Sequence, residues 1–176
     1  MLSSVLVLLS ALAGLTLADT FNLYAYGDGI GGLPLHYADG AAIISKKAPA
    51  NATNSDVVSF TTSDGQLVGN PNTTSSDPPF SNTVLFIPGP DSSSDEVGFL
   101  NASATAPDDE VTSKFVWYGH FLLVENDAGE LTSLFSVQKS SDDDEEYALL
   151  WNTTDSDSSS GEFISVSMRS VAPSTD

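Results

Sequence analysis

Hydrophobic and polar residues alternate with a period of two in the last apolar stretch of the chain, residues 163–171. Ile164, Val166 and Met168 fall on one face, whereas serines and Arg169 fall on the other. This period is typical of a β-strand that buries one face and exposes the other. The stretch is therefore predicted to form a half-buried strand.

Eleven other apolar runs of strand length precede this one, and none after residue 18 has a helical period. The runs are rich in β-branched and aromatic residues, and Asp-Gly, Pro-Gly and serine clusters separate them, as is usual between strands. They predict an all-β fold of twelve strands. The eleven runs are FNLYAY, LPLHYA, AAIIS, VVSFTT, QLVG, TVLFIP, EVGFLN, KFVWYG, FLLVEN, LFSVQ and YALLWN.

The predicted strands repeat in three similar units. Strand pairs around His36, Phe86 and Ser136 follow each other at intervals of 50 residues, and an Asn-x-Ser/Thr motif and a further strand come after each pair. Three such units of four strands predict a β-trefoil-like fold, in which six strands close a short barrel and six form a hairpin cap. A β-sandwich or jelly roll is the alternative, because its turns also recur every ~8–12 residues.

Three glycines, Gly27, Gly29 and Gly32, match the dinucleotide-binding signature G-x-G-x-x-G directly after an apolar run. The signature works only when its glycines lead into a helix whose N-terminus receives the pyrophosphate. Here Pro34 follows at once, and the next run is predicted to be a strand. The glycines are therefore interpreted as part of a hairpin loop.

The first residues have the pattern of a cleaved secretory signal peptide. The apolar run at residues 5–17 is too short to cross a bilayer, and it ends in Thr16-Leu17-Ala18, the small-x-small pattern of a signal peptidase site. No Lys or Arg precedes the run, so an uncleaved N-terminal anchor is the alternative. We expect cleavage after residue 18, a single all-β domain over residues 19–176, and an extracellular location.

Four Asn-x-Ser/Thr motifs in polar stretches predict N-glycosylation, at Asn51, Asn72, Asn101 and Asn152. The chain has no cysteine. An exported domain of this length is large enough to fold without disulfides, so its stability has to come from the core.

The charge balance excludes two classes of partner. The chain has 24 acidic residues against 5 basic ones, and nucleic acid and anionic lipid are both bound through dense Lys and Arg. We expect neither nucleic acid nor a membrane as a partner. The acidic segment at residues 155–162 approaches a calcium loop, but Gly161 falls one place too late for the turn. No metal site is predicted.

Motifs for catalysis are missing from the sequence. Two histidines without any cysteine provide no zinc or copper cluster, and no G-x-S-x-G motif is present. Residues 136–139 match S-x-x-K, but they fall in a predicted strand and lack the motifs that accompany it. His36 is interpreted as a hydrogen-bonded structural histidine and His120 as a turn or strand residue. We predict no enzymatic activity, no catalytic residue and no cofactor, with an enzyme of unrecognised type as the alternative.

Sugar binding requires an aromatic face for the apolar side of a pyranose, and nearby carboxylates or amides for its hydroxyls. One cluster in the first unit meets this requirement and is the candidate ligand-binding site. The alternative is that its tyrosines pack on the barrel. Trp117 and Trp151 lie at strand centres and are assigned to core or cap packing. The candidate residues are Tyr37, Asp39, Tyr24, Tyr26 and Asp28.

These observations predict a secreted, non-catalytic binding module for a glycan or cell-wall surface, acting as a monomer. A stable β-scaffold that carries variable loops suits such a role. The alternative is a protein-binding secreted factor, such as a protease inhibitor or a host-directed effector. The long polar loops at residues 70–81 and 103–113 suit a contact with another protein.

Motifs at both ends of the chain resemble those of a known group of proteins. The chain opens with a pattern like LYAYG…GLPL-x-YADG and closes with one like VSMRSVAPS. It resembles small, cysteine-free, fungal secreted proteins, over nearly all of residues 19–176. That family has no assigned activity, so the resemblance implies a fungal extracellular setting and transfers no catalytic or binding residue. The matching segments are residues 23–27, 33–40, 147–152 and 166–174.

Overall fold

The structure is a computed structural model that describes residues 19–140, 145–153 and 163–174. The predicted signal peptide and the acidic segment at residues 155–162 lie outside the described residues. Within them the chain forms strands and turns without a helix, so the predicted all-β class is confirmed. The strands are β1 (Phe21–Asn22), β2 (Tyr24–Gly27), β3 (Ile30–Ala38), β4 (Ala41–Ser45), β5 (Ser55–Ser63), β6 (Gln66–Pro71), β7 (Thr83–Pro88), β8 (Gly98–Asn101), β9 (Glu110–Val111), β10 (Phe115–Tyr118), β11 (Phe121–Glu125), β12 (Leu131–Thr132), β13 (Phe135–Lys139), β14 (Glu146–Trp151) and β15 (Phe163–Arg169).

Ten strands close into an antiparallel barrel. Five of the ten pairings join strands that follow each other directly along the chain. The circuit is completed where β15 pairs with β2 and where β3 pairs with β5. Because the first long strand lies beside the last one, the barrel leaves none of the ten strands at an open edge. The order around the barrel is β3, β2, β15, β13, β14, β4, β8, β7, β6, β5 and again β3.

Three hairpins lie next to one another: β3–β4, β7–β8 and β13–β14. Strand β4 pairs with both β8 and β14. An isolated bridge between Glu96 and Leu150 connects the other two hairpins. Outside these hairpins, the strands also pair as β1–β5, β5–β6, β10–β11, β11–β15 and β15–β2.

Inward-facing apolar side chains from all parts of the barrel form one core. Leu23, Leu67 and Leu122, from three different parts of the sequence, are almost completely buried. Phe60 is fully buried, and its ring stacks between those of Phe21 and Phe99, at centroid distances of 6.0 and 6.3 Å. This packing takes the place of disulfides in a chain that has no cysteine.

The glycine signature lies in the hairpin between β2 and β3, as predicted from the sequence. Gly32 has a φ of +86°, and a Cβ on it would lie only 2.8 Å from the ring of Tyr26. A Cβ on Gly27 would lie 2.6 Å from the carbonyl oxygen of Ser165 in the adjacent strand β15. Backbone geometry and close packing therefore require these glycines, and a strand follows them where a dinucleotide site needs a helix.

Candidate functional site

The five candidate residues lie in two separate places on the β2–β3 hairpin. One place is β2 and the turn after it, with Tyr24, Tyr26 and Asp28, and the other is the far end of β3, with Tyr37 and Asp39. In the β2–β3 pair, Tyr26 lies opposite Gly31. Gly31 precedes Tyr37 by six residues along β3. At about 3.3 Å per residue, the two positions are about 20 Å apart along the strand. Asp28 is exposed at the turn between β2 and β3. The structure therefore does not bring Tyr37 and Asp39 to the same place as Tyr26 and Asp28.

Tyr37 packs on the core. Its ring stacks on that of Phe80 at a centroid distance of 4.2 Å and lies 5.4 Å from that of Phe99. One face of the Tyr37 ring is therefore covered by Phe80, which agrees with the packing alternative for this tyrosine.

Asp39 holds the loop that carries the first glycosylation motif. Its carboxylate accepts hydrogen bonds from the backbone N–H groups of Thr53, at 2.7 Å, and Asn54, at 2.9 Å, and from the Asn54 amide. The two backbone hydrogen bonds hold the pKa of Asp39 below its ordinary value. This carboxylate therefore has a structural role, which it performs in its ionised form.

We expect Asp39→Ala to accelerate hydrogen exchange several-fold at the amides of Thr53 and Asn54, because their acceptor is lost. In the wild type, these two amides should be protected from exchange at neutral pH. The protection should be lost as the pH falls below 3.8 towards the lowered pKa of Asp39. Hydrogen exchange followed by NMR measures both effects. Asp28→Ala, which removes an exposed carboxylate from another turn, is the control. Unchanged exchange at both amides would contradict this role.

The groove beside Trp151 has a volume of about 330 Å³. Four stretches of the chain form this Trp151 groove: the end of β7 with the loop after it, residues 111–114, the β11–β12 hairpin with the residues up to 134, and residues 151–152. Its lining residues are Ile87, Pro88, Gly89, Pro90, Ser92, Ser94, Asp95, Val111, Lys114, Val124, Glu125, Asn126, Asp127, Thr132, Leu134, Trp151 and Asn152.

The floor of the Trp151 groove is apolar. The rings of Trp151 and Phe135 meet edge to face at a centroid distance of 4.8 Å. Ile87 and Val124 are buried beside them, whereas Leu134 is 45% exposed. The assignment of Trp151 to packing is confirmed, since it is only 8% exposed, but sequence reasoning did not show that it also lines a groove.

Backbone hydrogen bonds fix the walls of the groove. The Trp151 N–H donates to the carbonyl of Asp95 at 2.9 Å, and the Gly89 N–H donates to the carbonyl of Asp109 at 2.7 Å. On the opposite wall, the Asn126 side-chain oxygen accepts hydrogen bonds from two backbone N–H groups of its own hairpin. The groove is therefore largely formed before any ligand arrives.

Charged side chains surround the groove. Lys114 forms an ion pair with Asp127, and its hydrogen bond and positive charge lower the pKa of that carboxyl. The carboxylates of Asp95 and Glu125 make no hydrogen bond or ion pair within the described part of the chain. Both are exposed. These two groups are therefore available to accept hydrogen bonds from the hydroxyls of a ligand.

His36 is a buried structural residue, as the sequence predicted. It is 3% exposed, and its Nε2–H donates to the carbonyl of Ser45 at 3.1 Å. Burial lowers the pKa of His36, whereas the hydrogen bond to Ser45 and the charge of Asp56 act in the opposite direction. Its Nδ1 has no partner among the described residues.

This burial predicts a loss of stability in mild acid. The unfolded chain takes up a proton on His36 near pH 6.5, whereas the folded protein takes it up only at a lower pH. The contribution of His36 to stability is therefore complete above about pH 6.5 and decreases as the pH falls from there towards the lowered pKa of the folded protein.

Thermal unfolding of the wild type and of His36→Gln, measured between about pH 7.5 and pH 5, tests this. We expect the melting temperature of the variant to depend less on pH. In His120→Gln, which changes an exposed residue, the melting temperature should vary with pH as it does in the wild type. If the melting temperature of His36→Gln also varies with pH as in the wild type, the prediction is contradicted.

The S-x-x-K match also lies in a strand, as predicted. Ser136 is 4% exposed and shares a hydrogen bond of 2.8 Å with the Thr153 hydroxyl. Lys139 is exposed at the end of the same strand. Side chains three positions apart in a strand point to opposite faces, so this serine and lysine do not form a nucleophile and base pair.

No family model, curated protein or solved structure matches this chain. In residues 19–140, 145–153 and 163–174, no helix is long and apolar enough to cross a membrane. The same residues contain no group of three or more His, Asp or Glu side chains placed to hold a metal ion. The function is therefore inferred from the geometry of the surface alone.

Proposed function

We propose that the protein is a secreted, non-catalytic binding module that takes the end of a glycan chain into the Trp151 groove. The observation that carries the proposal is the combination of an apolar floor with two available carboxylates on one preformed groove. A pyranose ring has the complementary structure, with C–H groups on one face and hydroxyls around its edge. The volume of about 330 Å³ lies at the lower end of the range for small-ligand sites.

The exposed apolar surface in the groove supports this use. Leu134 keeps nearly half of its surface in contact with water, and a ligand that covers it gains about 25 cal/mol for each Å² of apolar surface removed. Asp95 and Glu125 then orient the ligand through hydroxyl hydrogen bonds. Charge-assisted hydrogen bonds of this kind are stronger than neutral ones.

We also infer a β-trefoil-like arrangement of three four-strand units. The three hairpins β3–β4, β7–β8 and β13–β14, which pair with one another, provide the six strands of the cap in this arrangement. The pairings β1–β5, β5–β6, β10–β11, β11–β15 and β15–β2 connect the strands of the short barrel, and the ring of ten strands runs through both sets. The β-sandwich alternative predicts two facing sheets with open edges, and it is less compatible with a closed barrel.

The extracellular location rests on the predicted signal peptide and on the four glycosylation motifs. Asn51, Asn72, Asn101 and Asn152 are all exposed, as acceptor asparagines have to be in a glycosylated fold. Asn152 also lines the Trp151 groove. A glycan attached there would lie at the entrance of the proposed site, so binding has to be measured with and without it.

The test is a glycan array and a pull-down on chitin and β-glucan, using the glycosylated protein and Asn152→Gln. We expect Asp95→Asn and Glu125→Gln each to weaken binding about tenfold or more, because each removes a charged acceptor. Asp28→Asn, which removes the same charge from a distant exposed turn, should bind like the wild type.

If Asp95→Asn, Glu125→Gln and Asp28→Asn all bind the glycan as tightly as the wild type, the glycan site lies outside the groove. The absence of binding to every glycan, both with and without the Asn152 sugar, would contradict the proposal. It would favour the alternative of a protein partner.

A further inference from the structure

Arg169 is the only arginine of the chain, and two aromatic rings hold its side chain. The centre of its guanidinium lies 4.8 Å from the ring centroid of Tyr26 and 4.5 Å from that of Phe121. Both distances are within the range of cation–π attraction. The guanidinium is therefore fixed in place by the ring faces rather than by an opposite charge.

The strand register produces this arrangement. Arg169 in β15 lies opposite Tyr24 of β2 on one side and opposite Phe121 of β11 on the other. Its Nε–H donates to the Ser167 hydroxyl at 3.1 Å. Its terminal nitrogens have no hydrogen-bond or ion-pair partner in the part of the chain that the structure describes.

Arg169 also lines an open pocket with a volume of about 450 Å³. The Tyr26 hydroxyl donates to the carbonyl of Val171 at 2.8 Å and fixes the segment that forms one wall. Among the residues that the structure describes, none that lines this pocket is acidic, although the chain has 24 acidic residues. The lining residues are Tyr26, Gly31, Arg169, Val171, Ala172, Pro173 and Ser174.

This chemistry favours a carboxylate as the ligand group. A guanidinium is planar, always charged and able to bind a carboxylate through two parallel hydrogen bonds. Arg169 has its terminal donors available, and the two rings and Ser167 already restrict its rotation. Little side-chain entropy is therefore lost when an anion binds.

The surroundings favour a sugar as the carrier of that carboxylate. Tyr118 and Phe121 face each other across the β10–β11 hairpin and are 72% and 39% exposed. Such aromatic surface can cover the apolar side of a pyranose. The Ser174 hydroxyl in the pocket lining can bond to a sugar hydroxyl.

We propose that the Arg169 pocket binds a uronate residue of an acidic oligosaccharide, with the carboxylate on the guanidinium and the sugar ring beside Phe121 and Tyr118. This site is separate from the Trp151 groove, and it does not depend on the function proposed for that groove.

The test is calorimetric titration of the full protein with trigalacturonate, and with its methyl ester as a neutral probe of the same shape. We expect the wild type to bind the acid at least about tenfold more tightly than the ester. Arg169→Lys keeps the charge but loses the planar fork, and Arg169→Gln loses both, so each should weaken binding of the acid at least about tenfold. Lys47→Gln removes a different exposed cation and is the control.

Equal binding of the acid and the ester by the wild type would overturn the proposal without any variant. So would equal binding of the acid by the wild type and by an Arg169→Gln protein that melts like the wild type. Triglutamate that binds as tightly as trigalacturonate would overturn the choice of a sugar. Asp95→Asn should leave the titration unchanged, which separates this site from the Trp151 groove.

Discussion

Replacing Phe60 with alanine is expected to lower the free energy of unfolding by about 3–5 kcal/mol. The ring is fully buried and stacks on those of Phe21 and Phe99, so its removal leaves a cavity between β1, β5 and β8. A domain of this kind has a total stability of about 5–15 kcal/mol. Without disulfides, a loss of this size brings the protein close to unfolding at physiological temperature.

Urea unfolding followed by circular dichroism measures this effect, with Tyr118→Ala as the control. Tyr118 is 72% exposed, and its truncation should change the free energy of unfolding by about 0.5 kcal/mol or less. A Phe60→Ala variant that loses under about 1 kcal/mol would contradict the central position of this ring in the core.

A Gly32→Ala substitution is expected to lower the free energy of unfolding by about 1–3 kcal/mol. The backbone there has a φ of +86°, and the new methyl group would lie 2.8 Å from the ring of Tyr26. Either the hairpin or the ring has to move. Because Tyr26 holds the guanidinium of Arg169, movement of the ring should also weaken uronate binding.

The matched control is Gly31→Ala, measured by the same urea unfolding. Gly31 is the adjacent glycine, and a Cβ on it would meet no other atom within 4 Å. We expect the control to retain almost all of the wild-type stability. If Gly31→Ala and Gly32→Ala lower the free energy of unfolding by the same amount, the clash with Tyr26 is not the cause of the loss in Gly32→Ala.

The hydrophobic pattern predicted most of the strands, because period-two alternation records which face of a strand is buried. It also predicted the hairpin at the glycine signature, since Pro34 is incompatible with the helix that a dinucleotide site requires. The two-residue strands β9 and β12 were not predicted. Each is too short to show a period, and each forms through pairing with a longer neighbour.

The binding surfaces were harder to predict, because residues distant in the sequence form them. Asp95, Glu125 and Trp151 meet only after three separate segments fold together. Tyr26 was selected from the sequence, but its contacts with Arg169 and Val171 join residues up to 145 positions apart. Asp39 is close to Tyr37 in the sequence, but its carboxylate accepts hydrogen bonds from a loop 14 and 15 residues further along the chain.

The pairing of β2 with β15 has a consequence for the order in which the protein can fold. The barrel has to remain open until β15 has been synthesised, because β15 is the partner of β2. Contacts of such long sequence separation make folding slow. During that time the backbone N–H and C=O groups on one edge of β2 have no partner strand, and a chaperone or a second unfolded chain can pair with them. We therefore expect the pairing of β15 with β2 to limit the rate of folding, and variants that weaken this pairing should aggregate during synthesis even when the finished barrel is stable.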